Sequence, residues 1–158
     1  MSQTWTTMDS PVGDLLIRSR DGAVTAIEFS PFEMPTKGRD DAEPVLRAAR
    51  DQLAGYFEGT RTEFDLPVEP DGTEFQRRVW QALRTIPYGK TASYGEIAAS
   101  LGLKPGASRA VGTANGANPI PIVVPCHRVI GADGSLTGYG GGLDRKQLLL
   151  QLEAPALF

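Results

Sequence analysis

The chain has 158 residues and a net charge of −3, with 41% hydrophobic and 22% charged residues, which is typical of one globular domain or two small ones. Disordered, collagen-like and coiled-coil proteins are therefore excluded, and no stretch approaches the roughly 18 apolar residues that a membrane span requires. Because residues 1–9 are polar and lack the apolar segment of a secretory signal, we expect a cytoplasmic protein without membrane contact.

Charge is divided unevenly along the chain. Residues 1–70 contain 7 basic and 13 acidic side chains, whereas residues 71–158 contain 9 and 6. From Arg77 to Arg128 there are seven basic side chains and a single acid, Glu96. Such a basic segment is a hint of phosphate binding, although a solvated basic face explains it equally well.

Residues 1–70 predict a small α/β domain. A three-stranded meander opens the chain, and its second turn, Asp21-Gly22, is a strong hairpin signal. A helix follows, beginning near Pro44 and ending at Gly59. A proline-containing linker comes next, and 13 of the 18 glycines lie beyond it, so we predict a second domain over 71–158. The predicted strands are 5–8, 15–18 and 24–29.

Residues 71–158 predict a mainly helical domain. Thr73 and Ser93 each begin a capping box, which places a helix start at both positions. A third helix is predicted over 107–115. The glycine-containing turn between the second and third helices is typical of a helix-turn-helix.

The third predicted helix has one nearly flat side. Ala107, Ala110, Val111 and Ala114 recur at helical spacing and face the core, while the opposite side carries Arg109 as its only long side chain. Small residues allow close approach in the DNA minor groove, which is about 6 Å wide. Tight packing against another protein element explains them as well. The small residues of this side are Ser108, Gly112, Thr113 and Gly116.

The only cysteine and the only histidine of the chain, Cys126 and His127, are adjacent. Prolines bar a helix before them, so we expect an extended segment from Asn118 whose inward face includes Cys126. His127 then points away unless the chain turns after Pro125, so a direct contact with the thiol is not required and a bridging water is an alternative. Burial alone makes a thiol inert, so a reactive Cys126 needs a base or a cation such as His127 or Arg128; a purely structural cysteine is the alternative.

Two further features lie near the end of the chain. The glycine cluster 138–142 allows backbone N–H groups to approach a ligand closely, although it matches neither a dinucleotide nor a P-loop fingerprint. Glu153 ends the last predicted helix, where the helix dipole disfavours a carboxylate. Glu153 is therefore either an exposed helix end or the buried partner of a group such as His127.

The segment Pro125-Cys126-His127-Arg128 followed by Val129-Ile130-Gly131 resembles the active-site signature of the O6-alkylguanine-DNA alkyltransferases. The resemblance extends over residues 73–153, and it implies an α/β (α+β) protein with a ribonuclease-H-like domain over 1–70. Residues 71–158 are then a winged-helix domain, with a helix-turn-helix, that binds DNA and accepts the alkyl group. The further matching motifs, in family order, are Phe75-Gln-x-x-Val-Trp80, Ile86-Pro-Tyr-Gly89, Ser93-Tyr94, Arg109-Ala-Val-Gly112, Asn118-Pro-Ile-Pro-Ile122, Tyr139-Gly-Gly-Gly142 and Leu152-Glu153.

The resemblance implies catalytic roles for five residues. Cys126 is the alkyl acceptor, and His127 and Glu153 form its relay, with His127 acting through a water molecule. Tyr94 helps to rotate the target nucleotide and donates a hydrogen bond to its base. Asn118 fixes the turn that precedes the active site.

The resemblance also implies a DNA surface and a guanine pocket. Arg109 fills the gap that the rotated nucleotide leaves in the duplex, and Tyr139 lines the pocket with nearby backbone N–H groups. Some relatives carry serine where Gly140 stands, but the contact there is a backbone one. The other implied DNA contacts are Tyr94, Ser108, Gly112, Thr113 and Arg128. The other implied pocket residues are Gly140, Gly141, Val129 and Trp80.

The implied activity is direct-reversal DNA repair. The alkyl group of O6-alkylguanine in double-stranded DNA, reached from the minor groove by base flipping, moves irreversibly to Cys126. Each molecule works once, because water does not cleave a thioether at neutral pH. We expect a monomer that is associated with the nucleoid when it is bound to DNA. Activity on O4-alkylthymine and cooperative DNA binding stay open.

Two other functions stay open on the residues alone. A helix-turn-helix regulator with a structural Cys126 would bind DNA equally well after its thiol is blocked. A Cys–His hydrolase would turn over repeatedly and would need a third group against the imidazole. One cysteine and one histidine cannot build a structural zinc site, so we expect no metal and no cofactor.

Overall fold

The computed structural model describes residues 3–158 and divides into two compact units, Met1–Asp71 and Gly72–Phe158. The predicted mixed α/β class is confirmed, with a sheet and one helix in the first unit and mainly helices in the second. No helix in the described range is long and apolar enough to cross a membrane. The first unit contains β1 (Gln3–Met8), β2 (Leu15–Arg20), β3 (Ala23–Phe29) and α1 (Pro44–Phe57). The second contains α2 (Glu74–Leu83), β4 (Ala92–Ser93), α3 (Tyr94–Ser100), α4 (Ser108–Gly116), a 3₁₀ turn (Cys126–Arg128), β5 (Val129–Ile130) and α5 (Leu143–Glu153).

The first unit is an antiparallel meander covered by α1. The strands lie in the order β1-β2-β3, and the two residues of the β2–β3 turn, Asp21 and Gly22, have φ values of 52° and 79°. Positive φ at both positions is the two-residue hairpin geometry that this dipeptide predicts. Leu15 and Ile17 on the central strand are fully buried, and α1 contacts all three strands through its apolar side.

The stretch predicted as a linker is partly ordered against the sheet. The backbone N–H of Val24 donates to the carbonyl of Pro67 at 2.9 Å, and the N–H of Glu69 donates to the carbonyl of Val24 at 2.8 Å. These two bonds form a parallel bridge along β3. Pairing of this kind satisfies backbone groups that an exposed sheet edge would leave unpaired.

The second unit contains both predicted capping boxes. The Thr73 hydroxyl accepts from the Gln76 N–H at 3.1 Å and the Gln76 side chain accepts from the Thr73 N–H at 2.9 Å. Ser93 and Glu96 repeat the arrangement at α3. Each box satisfies two N–H groups that a helix start otherwise leaves without partners, which explains why sequence alone located both starts.

Helices α3 and α4 pack together and form the predicted helix-turn-helix. The parallel pairing of β4 with β5 sets Ser93 opposite Ile130, so the start of α3 lies beside the chain that follows Cys126. On α4 the buried residues are Val111, Ala114 and Asn115. Ala110, which the periodicity predicts to be buried, is exposed instead. An alanine has so little apolar surface that its burial is weakly favoured.

The segment before Cys126 is not extended, so that prediction is wrong. The N–H of Val124 donates to the carbonyl of Ile120 at 2.9 Å, and Ile122 has a φ of 74°, which doubles the chain back on itself. Asn118 stabilises the turn, because its side chain accepts from the Ile120 N–H at 3.0 Å and donates to the Val124 carbonyl at 2.8 Å. Prolines exclude a helix here, but they do not exclude a turn.

Gly72 provides a direct test of the packing around Trp80. A Cβ on Gly72 would lie 2.6 Å from Cζ3 of Trp80, whose indole is 2% exposed. We expect Gly72→Ala to lower the free energy of unfolding by about 1–3 kcal/mol, because the ring cannot move within a packed interior. Gly116→Ala is the matched control, since a Cβ there meets nothing within 4 Å and alanine favours a helix. Urea denaturation that shows equal effects for the two variants would contradict this packing.

Candidate active site

Cys126 lies in the interior of the second unit, at the first position of the 3₁₀ turn that joins the Asn118 loop to β5. Cys126 is only 4% exposed, and the 3₁₀ turn contacts both α2 and α5. Burial raises the pKa of the Cys126 thiol, while hydrogen bonds with Asn118 and Tyr139 and the positive charge of Lys146 act to lower it. The turn therefore holds a nucleophile whose ionisation depends on its immediate neighbours.

A buried carboxylate organises the residues that follow Cys126. Nε2 of His127 lies 2.6 Å from Oε2 of Glu153, and Arg128 donates to the same carboxylate from Nε at 2.8 Å and from Nη2 at 3.1 Å. Burial acts to raise the pKa of Glu153, but its hydrogen bonds with His127 and Arg128 and the positive charge of Arg128 outweigh burial and lower that pKa to about 2. Of the two readings of Glu153, the structure thus selects the buried partner.

His127 is the neutral member of this cluster. Its side chain is fully buried, and burial together with the positive charges of Arg128 and Lys146 lowers its pKa against the opposing effect of Glu153. A neutral imidazole carries one proton, and the short contact to an ionised carboxylate places that proton on Nε2. Nδ1 has no hydrogen-bond partner among the described residues, so it is the atom that can accept a proton.

Arg128 is buried, which contradicts the expectation that it contacts DNA. The residue is 6% exposed, and besides its two bonds to Glu153 it donates from Nη1 to the carbonyl of Ile86 at 2.7 Å. A guanidinium matches a carboxylate through two parallel hydrogen bonds, and a buried carboxylate requires such a countercharge. Arg128 is therefore a partner of Glu153, and the expectation failed because sequence cannot separate a buried arginine from a surface one.

The motif Ile86-Pro-Tyr-Gly89 forms the opposite wall of the same cluster. Ile86 supplies the carbonyl that Arg128 binds, and the Arg128 guanidinium lies 5.8 Å from the centre of the Tyr88 ring. Gly89 has a φ of 79°, and its N–H points to Oε1 of Glu153 at 3.4 Å. This motif lies far from Cys126 in sequence, and its contacts with the buried Arg128 and Glu153 place it in the site.

Lys146 is a site residue that sequence reasoning missed. It lies on α5 with no exposed surface, and its Nζ donates to the carbonyls of Val129 at 2.5 Å and Thr137 at 2.8 Å. Burial lowers its pKa to about 8, opposed by the charge of Cys126. The available signal was its spacing, because Lys146, Leu149, Leu150 and Glu153 share the buried side of α5, where a lysine and a glutamate are unexpected.

Asn115 was also missed, and it connects α4 with the nucleophile. It is 2% exposed, and its Nδ2 lies 3.4 Å from the carbonyl of Cys126. Asn118 belongs to the same region through the turn it stabilises and through its hydrogen bond with the thiol. Asn115 thus contacts the backbone of Cys126, and Asn118 stabilises the turn that leads to it.

The predicted DNA face of α4 is solvent-accessible. Arg109 and Thr113 are exposed, and Ser108 and Gly112 are half-buried. A Cβ on Gly112 would lie at the ordinary contact distance of 3.6 Å from the ring of Tyr94, so the phenol lies beside α4. The hydroxyl of Tyr94 is 2.9 Å from that of Thr137.

The predicted pocket residues fall into two groups. Tyr139 and Gly141 are half-buried and Gly140 is exposed, all on the loop before α5, whereas Trp80 and Val129 are buried. The Trp80 indole donates to the carbonyl of Ala114 at 2.8 Å and joins α2 to α4, so we assign it to the packing of these helices and not to the pocket.

Among residues 3–158, no group of three or more His, Cys, Asp and Glu side chains is placed to hold a metal ion.

Comparison with known proteins gives matches in both units. The family model for the ribonuclease-like domain of 6-O-methylguanine DNA methyltransferase matches residues 4–70, and the model for its DNA-binding domain matches residues 74–155. A methylated-DNA–protein-cysteine methyltransferase of Mycolicibacterium paratuberculosis is 57% identical over 149 residues, which cover 93% of this chain and 90% of that protein. A relative of the same name from Methanosarcina acetivorans is 49% identical over 149 residues, covering 92% and 94%.

A solved structure is similar over the same length. The crystal structure of Mycobacterium tuberculosis OGT in complex with DNA has a TM-score of 0.87 and 52% sequence identity, and it covers 97% of this chain and 96% of that one. The chain therefore belongs to the methylated-DNA–protein-cysteine methyltransferase family.

Proposed function

We propose that this protein repairs DNA by moving the alkyl group of O6-alkylguanine to Cys126, once per molecule. The observation that carries the proposal is the buried arrangement of the only thiol beside a neutral imidazole, whose Nε2 is 2.6 Å from Glu153, and a buried lysine. These groups supply a proton acceptor and a positive charge, which a thiol needs in order to ionise in an apolar interior.

The chemical step begins with loss of the thiol proton. Because Nε2 of His127 donates to Glu153, Nδ1 accepts that proton through one bridging water. The thiolate attacks the alkyl carbon, a C–S bond forms as the bond from carbon to O6 breaks, and the electron pair stays with the guanine. The leaving guanine anion is stabilised by hydrogen-bond donors, a role that we assign to Tyr94 and to the backbone N–H groups around Tyr139.

The base reaches Cys126 only when it leaves the duplex, since a base within the stack is inaccessible to a buried sulfur. Tyr94, Ser108, Gly112 and Thr113 form the face that enters the minor groove, and small side chains suit its limited width. Arg109 is the single long side chain on that face and occupies the gap in the stack. The protein acts on DNA as a monomer, with no cofactor.

The first prediction concerns the acceptor. Mixed with duplex DNA that carries O6-methylguanine, the protein should gain the mass of one methyl group on Cys126 and then stop reacting. Cys126→Ser should gain none, because a serine hydroxyl is far less ionised than a thiol at neutral pH. Intact-mass and peptide-mass spectrometry measure both results. Turnover beyond one equivalent would support a hydrolase, and unchanged mass with tight DNA binding would support a regulator.

The second prediction concerns Arg109. Arg109→Ala should slow methyl transfer from duplex DNA more than transfer from free O6-benzylguanine, because only the duplex has a gap to fill. Arg84→Ala is the matched control, since Arg84 is another exposed arginine of the same unit and lies outside α4. Single-turnover rates on the two substrates decide the matter. Equal losses on both substrates for Arg109→Ala would reject the role in the gap.

The third prediction concerns Glu153. Glu153→Gln should slow transfer by about tenfold or more, since a shift of one unit in the thiol pKa changes the thiolate fraction tenfold. It should also lower the free energy of unfolding by about 3 kcal/mol, because Arg128 keeps a buried charge without its carboxylate. DNA binding should change little. A folded variant that reacts at the wild-type rate across neutral pH would remove Glu153 from the relay.

The same residue predicts an acid-sensitive stability. The pKa of Glu153 falls from its ordinary value of 4.5 to about 2 on folding, so the folded state binds the proton less tightly than the unfolded state. The resulting stabilisation is present above pH 4.5 and is lost as the pH falls from there to about 2. Urea denaturation between pH 6 and pH 3 should show a steeper loss for the wild type than for Glu153→Gln.

A further inference from the structure

We infer that Thr137 is a positioning residue for methyl transfer, which holds the Tyr94 phenol and directs its proton toward the bound guanine. The inference rests on the proposed function, because it assigns a task to Tyr94 in that reaction. Its starting observation is the 2.9 Å distance between the hydroxyl oxygens of Tyr94 and Thr137, one at the start of α3 and the other on the loop before α5.

The Thr137 backbone is anchored to the buried part of the site. Its carbonyl accepts from Nζ of Lys146 at 2.8 Å, and the same Nζ donates to the carbonyl of Val129, three residues after Cys126, at 2.5 Å. Lys146 is fully buried, so the surrounding side chains restrict its movement. The backbone that carries the Thr137 hydroxyl is therefore held in place relative to Cys126, although Thr137 itself is exposed.

The Tyr94 ring is located from two sides. The ring lies over Gly112 of α4, where an added Cβ would be at the ordinary contact distance of 3.6 Å from Cδ1 and Cε1. The neighbouring α4 backbone limits where the ring can lie, but it does not set the direction of the O–H bond. The Thr137 hydroxyl is the group that the Tyr94 hydroxyl meets, at 2.9 Å, so it restricts the directions in which the phenol proton can point.

When guanine is bound, the donor and acceptor roles of the two hydroxyls can be assigned in only one way. A phenol has a single proton, and if it donates that proton to the base, it can only accept from Thr137. Threonine then donates to the Tyr94 oxygen, and a chain of two hydrogen bonds in the same direction strengthens both. Thr137 thus makes Tyr94 a better donor as negative charge develops on the leaving guanine.

The hydrogen bond between Tyr94 and Thr137 contributes less to the stability of the fold than to the rate of methyl transfer. Thr137 is exposed and Tyr94 is half-buried, and a hydrogen bond between neutral groups near solvent contributes little to folding. Removing the Thr137 hydroxyl should therefore change the rate of the chemical step without changing the fold. This separation makes the inference testable.

The test is a double-mutant cycle on single-turnover methyl transfer from duplex O6-methylguanine at saturating protein. Thr137→Val removes the hydroxyl and keeps the shape, and we expect it to slow transfer by about fivefold, the effect of one hydrogen bond. Thr137→Ser should restore the rate. In a Tyr94→Phe background, Thr137→Val should have no further effect, because the phenol on which it acts is gone.

Controls separate this inference from the proposed function. Binding of undamaged duplex and the melting temperature should be the same for Thr137→Val as for the wild type. If wild-type protein leaves Cys126 unmethylated, the proposed function fails. If the wild type is methylated and Thr137→Val matches its rate, or if Thr137→Val slows transfer equally with and without the Tyr94 hydroxyl, the inference about Thr137 is overturned and the proposed function stands.

Discussion

The buried carboxylate of Glu153 is the constraint on which the active site depends. It lies at the carboxyl end of α5, where the helix dipole opposes a negative charge, and burial opposes it further. Arg128 and His127 compensate for both costs through three hydrogen bonds. Because they directly follow Cys126, stabilising Glu153 also fixes the 3₁₀ turn that presents the thiol. The charge cluster thus ties the last helix of the chain to the nucleophile.

The same cluster sets the protonation state that the chemistry requires. Arg128 supplies the positive charge that keeps Glu153 ionised, so His127 remains neutral and can act as a proton acceptor. If the imidazole alone balanced the carboxylate, it would already carry a second proton and could not accept one from the thiol, as the proposed relay requires. Lys146 is a second buried cation, and its charge acts to lower the pKa of Cys126. Burial still raises the pKa of the thiol, and Asn118, Tyr139 and Lys146 oppose that effect without cancelling it.

Accessible and buried groups are divided between the two ends of the site. The α4 face with Arg109 and the neighbouring Tyr94 are accessible, whereas the thiol, imidazole and carboxylate have almost no exposed surface. Asn115 joins these ends, since it lies on the buried side of α4 and reaches the carbonyl of Cys126. Such a division suits a reaction in which a base must leave its duplex before it meets the nucleophile.

Local patterns in the sequence determined the helix starts at Thr73 and Ser93, the Asp21-Gly22 hairpin and the identity of Cys126 as the only candidate nucleophile, because capping, turn conformation and residue type are local properties. Only the tertiary structure decided that Arg128 is buried against Glu153, that Lys146 lies beside the thiol, and that the Asn118 segment turns instead of extending. A charged side chain is placed by partners distant in the chain, and neither periodicity nor composition records which partners those are. Burial of opposite charges is settled only when α5 packs against the turn that contains the nucleophile.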